Sequence, residues 1–162
     1  VNILRLHTPN EQQEYAAIVR ISRNGRKLTF DTGRDLVPFP GGSKKFAVRY
    51  DKLSGRYWTL VNATGSEFPE IQRDRICNRL AIASSSDLRK WTVHEVLLSH
   101  LDPQKHGFQY VEWQIEGNDI VYVVRTAFDD DEGCAANYHN TNYMTFHRLE
   151  NFRTLAAKTS TL

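Results

Sequence analysis

Short apolar segments separated by turn residues follow one another along this chain, and their order repeats at a fixed spacing. The segment 78–82 (NRLAI) matches 142–146 (NYMTF), and 87–89 (DLR) matches 151–153 (NFR), each with an offset of 64 residues. A weaker third copy includes Ile18, which lies 64 residues before Ile82. Several short strands repeated at a fixed period are typical of β-propeller blades. The pattern therefore predicts an all-β protein built from blades.

A propeller blade is a four-stranded antiparallel meander, and the middle copy has the pattern of a complete one. Its predicted strands are Lys45–Tyr50, Arg56–Val61, Asn78–Ser84 and Trp91–Leu98. In the last copy they are Phe108–Ile115, Ile120–Arg125, Asn142–Leu149 and a weak fourth strand over 154–162. The first copy lacks its inner strand and begins with Asn2–Leu6. We therefore predict a single partial propeller domain over 1–162, with blade remnants over 1–40 and blades over 41–100 and 101–162.

Two to three blades are too few to close a propeller, which generally needs four to eight. An open array leaves unpaired edge strands at its two ends, and such edges tend to associate. We therefore expect the edges to contact further blades or to mediate self-association.

The bulk composition excludes several kinds of partner. The 21 basic residues are balanced by 19 acidic ones in a chain of 162 residues, with a net charge of +2 and no long charged run. This balance argues against nucleic acid or a membrane surface as a partner. No apolar stretch approaches the roughly 20 residues of a membrane span, and the N-terminal segment lacks the pattern of a signal peptide.

Cys77 and Cys134 either bridge adjacent blades or stay free, and the strict geometry of disulfides favours free thiols.

Two long connections indicate where a functional site lies. They span 62–76 and 126–141, and each joins the second to the third predicted strand of its blade. Connections of about 15 residues are uncommon in compact domains and are most often functional. In a meander they lie on the same face as the start of each inner strand. The predicted site is therefore formed by segments 41–45, 62–78, 106–110 and 126–142.

The side chains in these segments suit a ligand with many hydroxyl groups. Amides and imidazoles donate and accept hydrogen bonds, and Tyr110 and Tyr138 offer rings for stacking. Arg5 and Arg125 each end a predicted second strand and could clamp an anion, the alternative being ordinary surface cations. The predicted substrate-binding residues are Arg5, Lys45, Asn62, Asn78, His106, Gln109, Arg125, Asp129, His139 and Asn142.

Glu112 is the predicted catalytic residue. It interrupts the inner strand of the last blade, where a carboxylate is costly unless it is paired or used in chemistry. The alternative is a structural ion pair with a neighbouring arginine. No set of His, Cys or Asp residues has the spacing of a zinc motif. The acidic run 129–131 leaves a calcium site open but matches no full ligand pattern, and the alternative is a set of solvated loop charges. No cofactor motif is found, so neither metal nor cofactor is predicted.

Several stretches resemble the C-terminal part of the sialidase-like (BNR-type) β-propeller proteins of bacteria. They are GGSKKFAVRYD, RYWTLVN, NRLAIASSSDLRKWTVHEVLL, HGFQYVEWQIEGNDIVYVVRTAFDD and NYHNTNYMTFHRLENFR. The turn Ser85–Trp91 also resembles the Ser-x-Asp-Leu-x-x-Trp turn of arabinanase- and fructosidase-type propellers, which implies a structural turn on the face opposite the site. True sialidases use an arginine triad, a Tyr/Glu pair and an Asp acid. In this chain Arg5 and Arg125 are candidates for the triad, and Glu112 is the candidate for a carboxylate.

The resemblance implies a glycoside hydrolase that acts on terminal sugars of glycans and is exported to the periplasm or beyond the cell. Such an enzyme pairs a carboxylic acid, which protonates the leaving oxygen, with a second carboxylate. The alternative is a carbohydrate-binding propeller without catalytic activity, which keeps the aromatic and amide rim and needs no carboxylate pair.

Overall fold

Antiparallel pairing of short strands organises the whole chain. The structure is a computed structural model and describes residues 1–8 and 13–158. Within these residues, strands form three larger antiparallel sheets and one small hairpin, accompanied by two short helices. The prediction of an all-β protein with antiparallel sheets is confirmed. No described helix is long and apolar enough to cross a membrane.

The first sheet contains the N-terminal strands. Its elements are β1 (Asn2–Arg5), β2 (Tyr15–Ile21), β3 (Leu28–Thr29), α1 (Thr32–Asp35) and β4 (Leu36–Pro38). The central strand β2 pairs with β1 along one edge and with β3 and β4 along the other. Its sequence YAAIVRI buries Ala16, Ala17 and Ile18, so apolar and β-branched residues hold this sheet against its neighbour.

The second sheet is a four-stranded meander in chain order. Its strands are β5 (Val48–Asp51), β6 (Arg56–Val61), β7 (Arg79–Ser85) and β8 (Thr92–Ser99), and a 3-10 helix (Arg73–Arg75) lies in the connection between β6 and β7. Three of these strands lie within one residue of their predicted bounds. β5 begins three residues later than predicted, so Lys45 lies in the loop before it.

The third sheet has three strands in the order β13–β10–β9. The elements of this part are β9 (Gly107–Glu116), β10 (Asp119–Ala127), β11 (Asp129–Asp130), β12 (Gly133–Cys134), β13 (Tyr143–Leu149) and α2 (Arg153–Lys158). β11 and β12 form a small hairpin inside the long connection from β10 to β13. The predicted fourth strand over 154–162 is wrong where it is described, because the segment starting at Arg153 is helical. Leu, Ala and Lys in that segment are good helix formers, and 159–162 lie outside the described residues.

The central strands β6 and β7 of the second sheet are buried on both faces, because this sheet lies between the other two. On one face, Trp58 and Leu60 of β6 share a hydrophobic cluster with Trp113 and Ile120 of the third sheet. On the other face, Val61 belongs to a cluster with residues of the first sheet. Side chains of a strand alternate between faces, so a strand that is buried twice becomes an almost continuous apolar run. The core thus consists of two layers that separate three stacked sheets.

The turn between β7 and β8 is built by its own side chains. The Asp87 carboxylate accepts hydrogen bonds from the N–H groups of Arg89 and Lys90, at 2.8 and 2.9 Å. Leu88 has a φ of 65°, and the Trp91 indole N–H donates to its carbonyl oxygen at 3.1 Å. The side chains of Asp87 and Trp91 therefore stabilise the turn, in keeping with the structural role that the family resemblance implies for it.

Candidate functional site

A cleft of about 330 Å³ lies where the ends of the three sheets meet. Its lining comes from the end of β1, the loop before β5, both long connections and the start of β9. Five of the predicted binding residues line it: Arg5, Lys45, Asn62, Gln109 and His139. The sequence placed the site on the face of the long connections. Half of the predicted binding residues lie together in the cleft on this face.

Tyr110 projects into this cleft from an irregularity in β9. Glu112 pairs with Val123 and Gln109 pairs with Arg125, so Tyr110 and Val111 stand opposite a single residue of β10. The extra residue makes a β-bulge, and Tyr110 takes a φ of 53°, a left-handed conformation that costs a non-glycine residue about 1–2 kcal/mol. Such strain persists only where surrounding contacts enforce it, and it is concentrated at functional sites.

Two cations lie against the Tyr110 ring. Lys45 Nζ is 4.4 Å from the ring centroid and Arg125 Cζ is 4.8 Å from it, both within the range of cation–π attraction. The Tyr110 hydroxyl lies 3.2 Å from His139 Nε2, and the Arg125 guanidinium donates to Thr141 Oγ1 at 3.2 Å. These contacts place Arg125 at the cleft, although it is not part of the lining named above.

The cleft is electropositive. Among the residues that the structure describes, Arg5, Lys45 and Arg125 form no ion pair. Asp74 is the one carboxylate of the described lining, and its Oδ2 lies 3.5 Å from His7 Nδ1. Three uncompensated cations facing one carboxylate produce a potential that attracts anions.

A buried ion pair supports the floor of the cleft. Lys44 Nζ lies 2.8 Å from Glu14 Oε1 and donates to the carbonyl oxygen of Arg73 at 2.9 Å, while Glu14 also accepts a hydrogen bond from Thr64. The pair joins the loop before β5 to the residue that precedes β2 and to the connection after β6. Its charges cancel, so Lys44 contributes little to the field in the cleft.

The side-chain nitrogens of the buried amides hold loops through hydrogen bonds to the backbone. Asn62 Nδ2 donates to the carbonyl oxygen of Phe108 at 2.7 Å, and the Gln109 amide donates to that of Tyr138. Asn78 Nδ2 donates to the carbonyl oxygen of His100 at 2.6 Å, so it fixes the loop before β9. These contacts engage the amide nitrogens with the backbone, and the role of the three residues as ligands for sugar hydroxyls stays a prediction.

Asn142 has a similar structural role. Its amide pairs with both backbone groups of Phe128, accepting from N–H at 3.1 Å and donating to the carbonyl oxygen at 2.9 Å. It also donates to Asp130, which anchors the β11–β12 hairpin to the start of β13. His106 and Asp129 contact each other in the same region, at 3.1 Å between Nε2 and Oδ1, and neither lines the cleft.

Glu112 lies outside the cleft. Its side chain is 67% exposed and forms an ion pair with Arg49, in a groove that also includes Trp113 and Phe146. A carboxylate is tolerated in this strand because it is paired and because the exposed face of β9 meets solvent here. The alternative of an ion pair with a neighbouring arginine describes the observed contact.

Comparison with protein-family models, curated proteins and solved structures finds no match. The resemblance to sialidase-like propellers therefore stays a prediction.

Sequence reasoning missed His7 and Asp74. Asp74 stands between Arg73 and Arg75, and a charged run of this kind normally indicates a solvated surface. Its Oδ1 is nevertheless buried and has no hydrogen bond to a described residue. No local sequence signal distinguishes it, since the burial results from the packing of the 3-10 helix against the cleft.

The two cysteines are free thiols, as favoured from the sequence. Burial raises the pKa of the Cys77 thiol to about 12, so this residue in the cleft wall is protonated at neutral pH. Because the thiolate is the reactive form, Cys77 supplies packing and no nucleophile.

Proposed function

We propose that the three sheets are blades of an incomplete β-propeller of the sialidase-like type, and that its cleft binds a terminal sugar carrying a carboxylate. The second sheet supports the blade interpretation, because four antiparallel strands in chain order have the arrangement of a blade. Its packing between two other sheets matches the radial stacking of such units. The resemblance to bacterial sialidase-like propellers is the reason for proposing a sugar as the ligand.

The unpaired cations at the cleft carry the proposal for an anionic ligand. Arg125 and Lys45 lie beside the Tyr110 ring, and Arg5 lines the same cleft. A guanidinium binds a carboxylate through two parallel hydrogen bonds, and this geometry explains why arginine is used for such groups. The tyrosine ring supplies an apolar and hydrogen-bonding surface for the rest of the sugar.

Binding is better supported than hydrolysis. Glycosidases of the usual kind need two carboxyl groups about 5 to 9.5 Å apart across the scissile bond. Asp74 is the one carboxylate in the described lining of the cleft, and Glu112 lies in a different groove. Hydrolysis is the second candidate, favoured by the buried Asp74 oxygen without a hydrogen bond, since a carboxyl group that faces a cleft in this state suits acid–base chemistry.

Direct binding measurements test the proposal. Isothermal titration calorimetry with a sialylated trisaccharide, a uronic acid and neutral lactose should give binding for the carboxylated sugars only. Lys45→Ala and Arg125→Ala should each weaken affinity about tenfold or more, because a hydrogen bond to a charged group contributes about 1.5–3 kcal/mol. Affinity should also fall as salt rises.

Lys52→Ala is the matched control, since it removes an exposed lysine from the β5–β6 turn, away from the lining of the cleft. It should leave affinity unchanged. Equal binding of lactose and the carboxylated sugars, or equal losses in Lys52→Ala and Lys45→Ala, would contradict the proposal.

Hydrolysis requires its own assay with fluorogenic aryl glycosides, an aryl sialoside included. Turnover that is lost in Asp74→Asn and kept in Glu112→Gln would make Asp74 part of the chemistry. Turnover lost in Glu112→Gln would restore the catalytic residue predicted from the sequence. No turnover, together with retained binding, would leave the binding function alone.

The proposed propeller also has an open side. β13 pairs only with β10 among the described strands, and Met144 and Phe146 on it are 68% and 66% exposed. Further blades or a second copy would cover such an edge. The family resemblance would place the protein in the periplasm or outside the cell.

A further inference from the structure

A second cluster of chemically active side chains lies in the connections that precede β9 and follow β10. His100, His106 and Asp129 each offer one ligand atom, and these atoms all lie within 4.8 Å of one another. We propose that this cluster binds one divalent transition-metal ion of the Zn²⁺ type. The proposal does not depend on the sugar cleft, because none of the three residues lines it.

His106 has the surroundings of a metal ligand. Its Nε2 lies 3.1 Å from Asp129 Oδ1, close to the roughly 3.4 Å that separates two ligands bound tetrahedrally to zinc at about 2.0–2.1 Å. The residue is 4% exposed, and its Nδ1 is buried without a hydrogen bond to a described residue. A buried polar atom without a partner is costly, so this imidazole calls for an explanation.

Asp102 is the carboxylate that could accept a hydrogen bond from this Nδ1. Its Oδ2 lies 3.7 Å from His106 Nδ1, on the other side of the ring from Asp129. Histidines that bind metals donate their second ring N–H to a carboxylate or carbonyl oxygen, which fixes the ring and raises the basicity of the ligating nitrogen. A metal at Nε2 would place the proton on Nδ1 and close a hydrogen bond to Asp102.

His100 completes the donor set. Its ring stacks on that of His106 with centroids 3.4 Å apart and planes 20° apart, so the two imidazoles are already adjacent. His100 Nδ1 accepts a hydrogen bond from the Asp102 N–H at 3.1 Å. Ligation would change that contact and splay the two rings. The adjacent Leu101 is 92% exposed, so the turn has room for the adjustment.

The donor types select the metal. Two imidazoles and one carboxylate favour Zn²⁺ or a related transition metal over Mg²⁺ and Ca²⁺, which prefer oxygen ligands alone. Three protein ligands leave the fourth tetrahedral position to water. The bound ion would cross-link the loop before β9 to the long connection after β10, which carries Tyr138 and His139 to the cleft.

Metal titrations test the site. Calorimetry with Zn²⁺ should show one equivalent bound, and Co²⁺ should give the visible absorption of a tetrahedral centre with nitrogen and oxygen ligands. Asp129→Asn and His100→Gln should each weaken Zn²⁺ binding at least tenfold. Both residues are accessible to solvent, so circular dichroism should show that the variants stay folded. Zn²⁺ should also raise the melting temperature of the unchanged protein and not that of Asp129→Asn.

Two control variants separate this site from adventitious binding. Asp131→Asn removes a neighbouring exposed carboxylate of the β11–β12 turn, and Cys134→Ser removes the nearby thiol. Both should bind Zn²⁺ as the unchanged protein does. Absence of one tight equivalent, unchanged affinity in Asp129→Asn, or loss of binding in Cys134→Ser would each overturn the proposal.

Discussion

Arg153 and Asp51, 102 residues apart in the chain, form a two-point ion pair with Nε–Oδ2 at 2.8 Å and Nη2–Oδ1 at 2.9 Å. Arg153 stands at the start of α2, and Asp51 ends β5. The same guanidinium donates to the carbonyl oxygen of Gly117 in the β9–β10 turn at 3.1 Å. The pair therefore fastens the second sheet to the third at the face opposite the cleft.

Removal of this arginine should destabilise the fold strongly. Asp51 is buried, so Arg153→Ala would leave a buried carboxylate without its cation, which costs about 3–5 kcal/mol in comparable cases. Arg148→Ala is the control, because Arg148 pairs with Asp119 and Glu116 at the surface and should cost less than about 1 kcal/mol. Urea unfolding of both variants measures the difference. Similar losses of unfolding free energy in the two variants would show that the Asp51–Arg153 pair contributes no more than a surface ion pair.

Acid should unfold the protein through its buried carboxylates. The hydrogen bond from Arg153 holds the pKa of Asp51 well below its usual range, and hydrogen bonds from Arg34 and Arg20 lower that of Asp35 to about 2. A carboxyl group with a depressed folded-state pKa stabilises the fold above its unfolded pKa of about 3.9, and that contribution is lost as pH falls through the folded value. The free energy of unfolding should therefore fall as pH decreases from about 4 to 2.

Asp51→Asn provides the check on this assignment. The variant should be less stable at pH 7 and should lose less stability than the unchanged protein between pH 4 and pH 2, because it lacks one of the carboxylates that titrate there. Parallel stability curves for the two proteins across this range would refute the role given to Asp51.

The strands could be predicted from the sequence because their signals are local. Apolar runs such as WTLV and AIAS follow from burial on both faces, and turn residues bound each strand. The end of the chain could not be predicted from the repeat. Equivalence with the middle copy suggested a strand after Arg153, but the helix propensity of TLAAK and the ion pair with Asp51 favour α2.

The face of the candidate site was predictable, and the roles of its residues were not. The lengths of the connections identified the face, since length is visible in a sequence. The assignments of Asn62 and Glu112 rested on residue type, and type does not reveal that one amide is engaged by the backbone while one carboxylate is exposed. Tyr110 has no sequence signal for its left-handed conformation, because tyrosine rarely adopts it.

Gly41 should tolerate a side chain much less well than Gly55. Both have positive φ angles, 73° and 64°, so alanine is strained at either position by about 1–2 kcal/mol. At Gly41 an added Cβ would also lie 2.6 Å from the carbonyl oxygen of Asn62, whereas at Gly55 it would meet nothing within 4 Å. We expect Gly41→Ala to cost about 1–3 kcal/mol more than Gly55→Ala in urea unfolding. Equal costs would mean that the loop before β5 moves freely away from Asn62.

Tyr110 offers a test of whether backbone strain serves ligand binding. Tyr110→Gly would relieve a left-handed conformation worth about 1–2 kcal/mol and lose two cation–π contacts of about 0.5–1 kcal/mol each, so stability should change by less than about 1 kcal/mol. Affinity for a carboxylated sugar should nevertheless fall at least tenfold, because Lys45 and Arg125 lose the ring that positions them. Tyr110→Phe, which keeps the ring and removes the hydroxyl contact to His139, should retain most of the affinity. A glycine variant that binds normally would mean that the strained tyrosine has no part in recognition, whereas a large loss of stability would show that the ring is needed for folding.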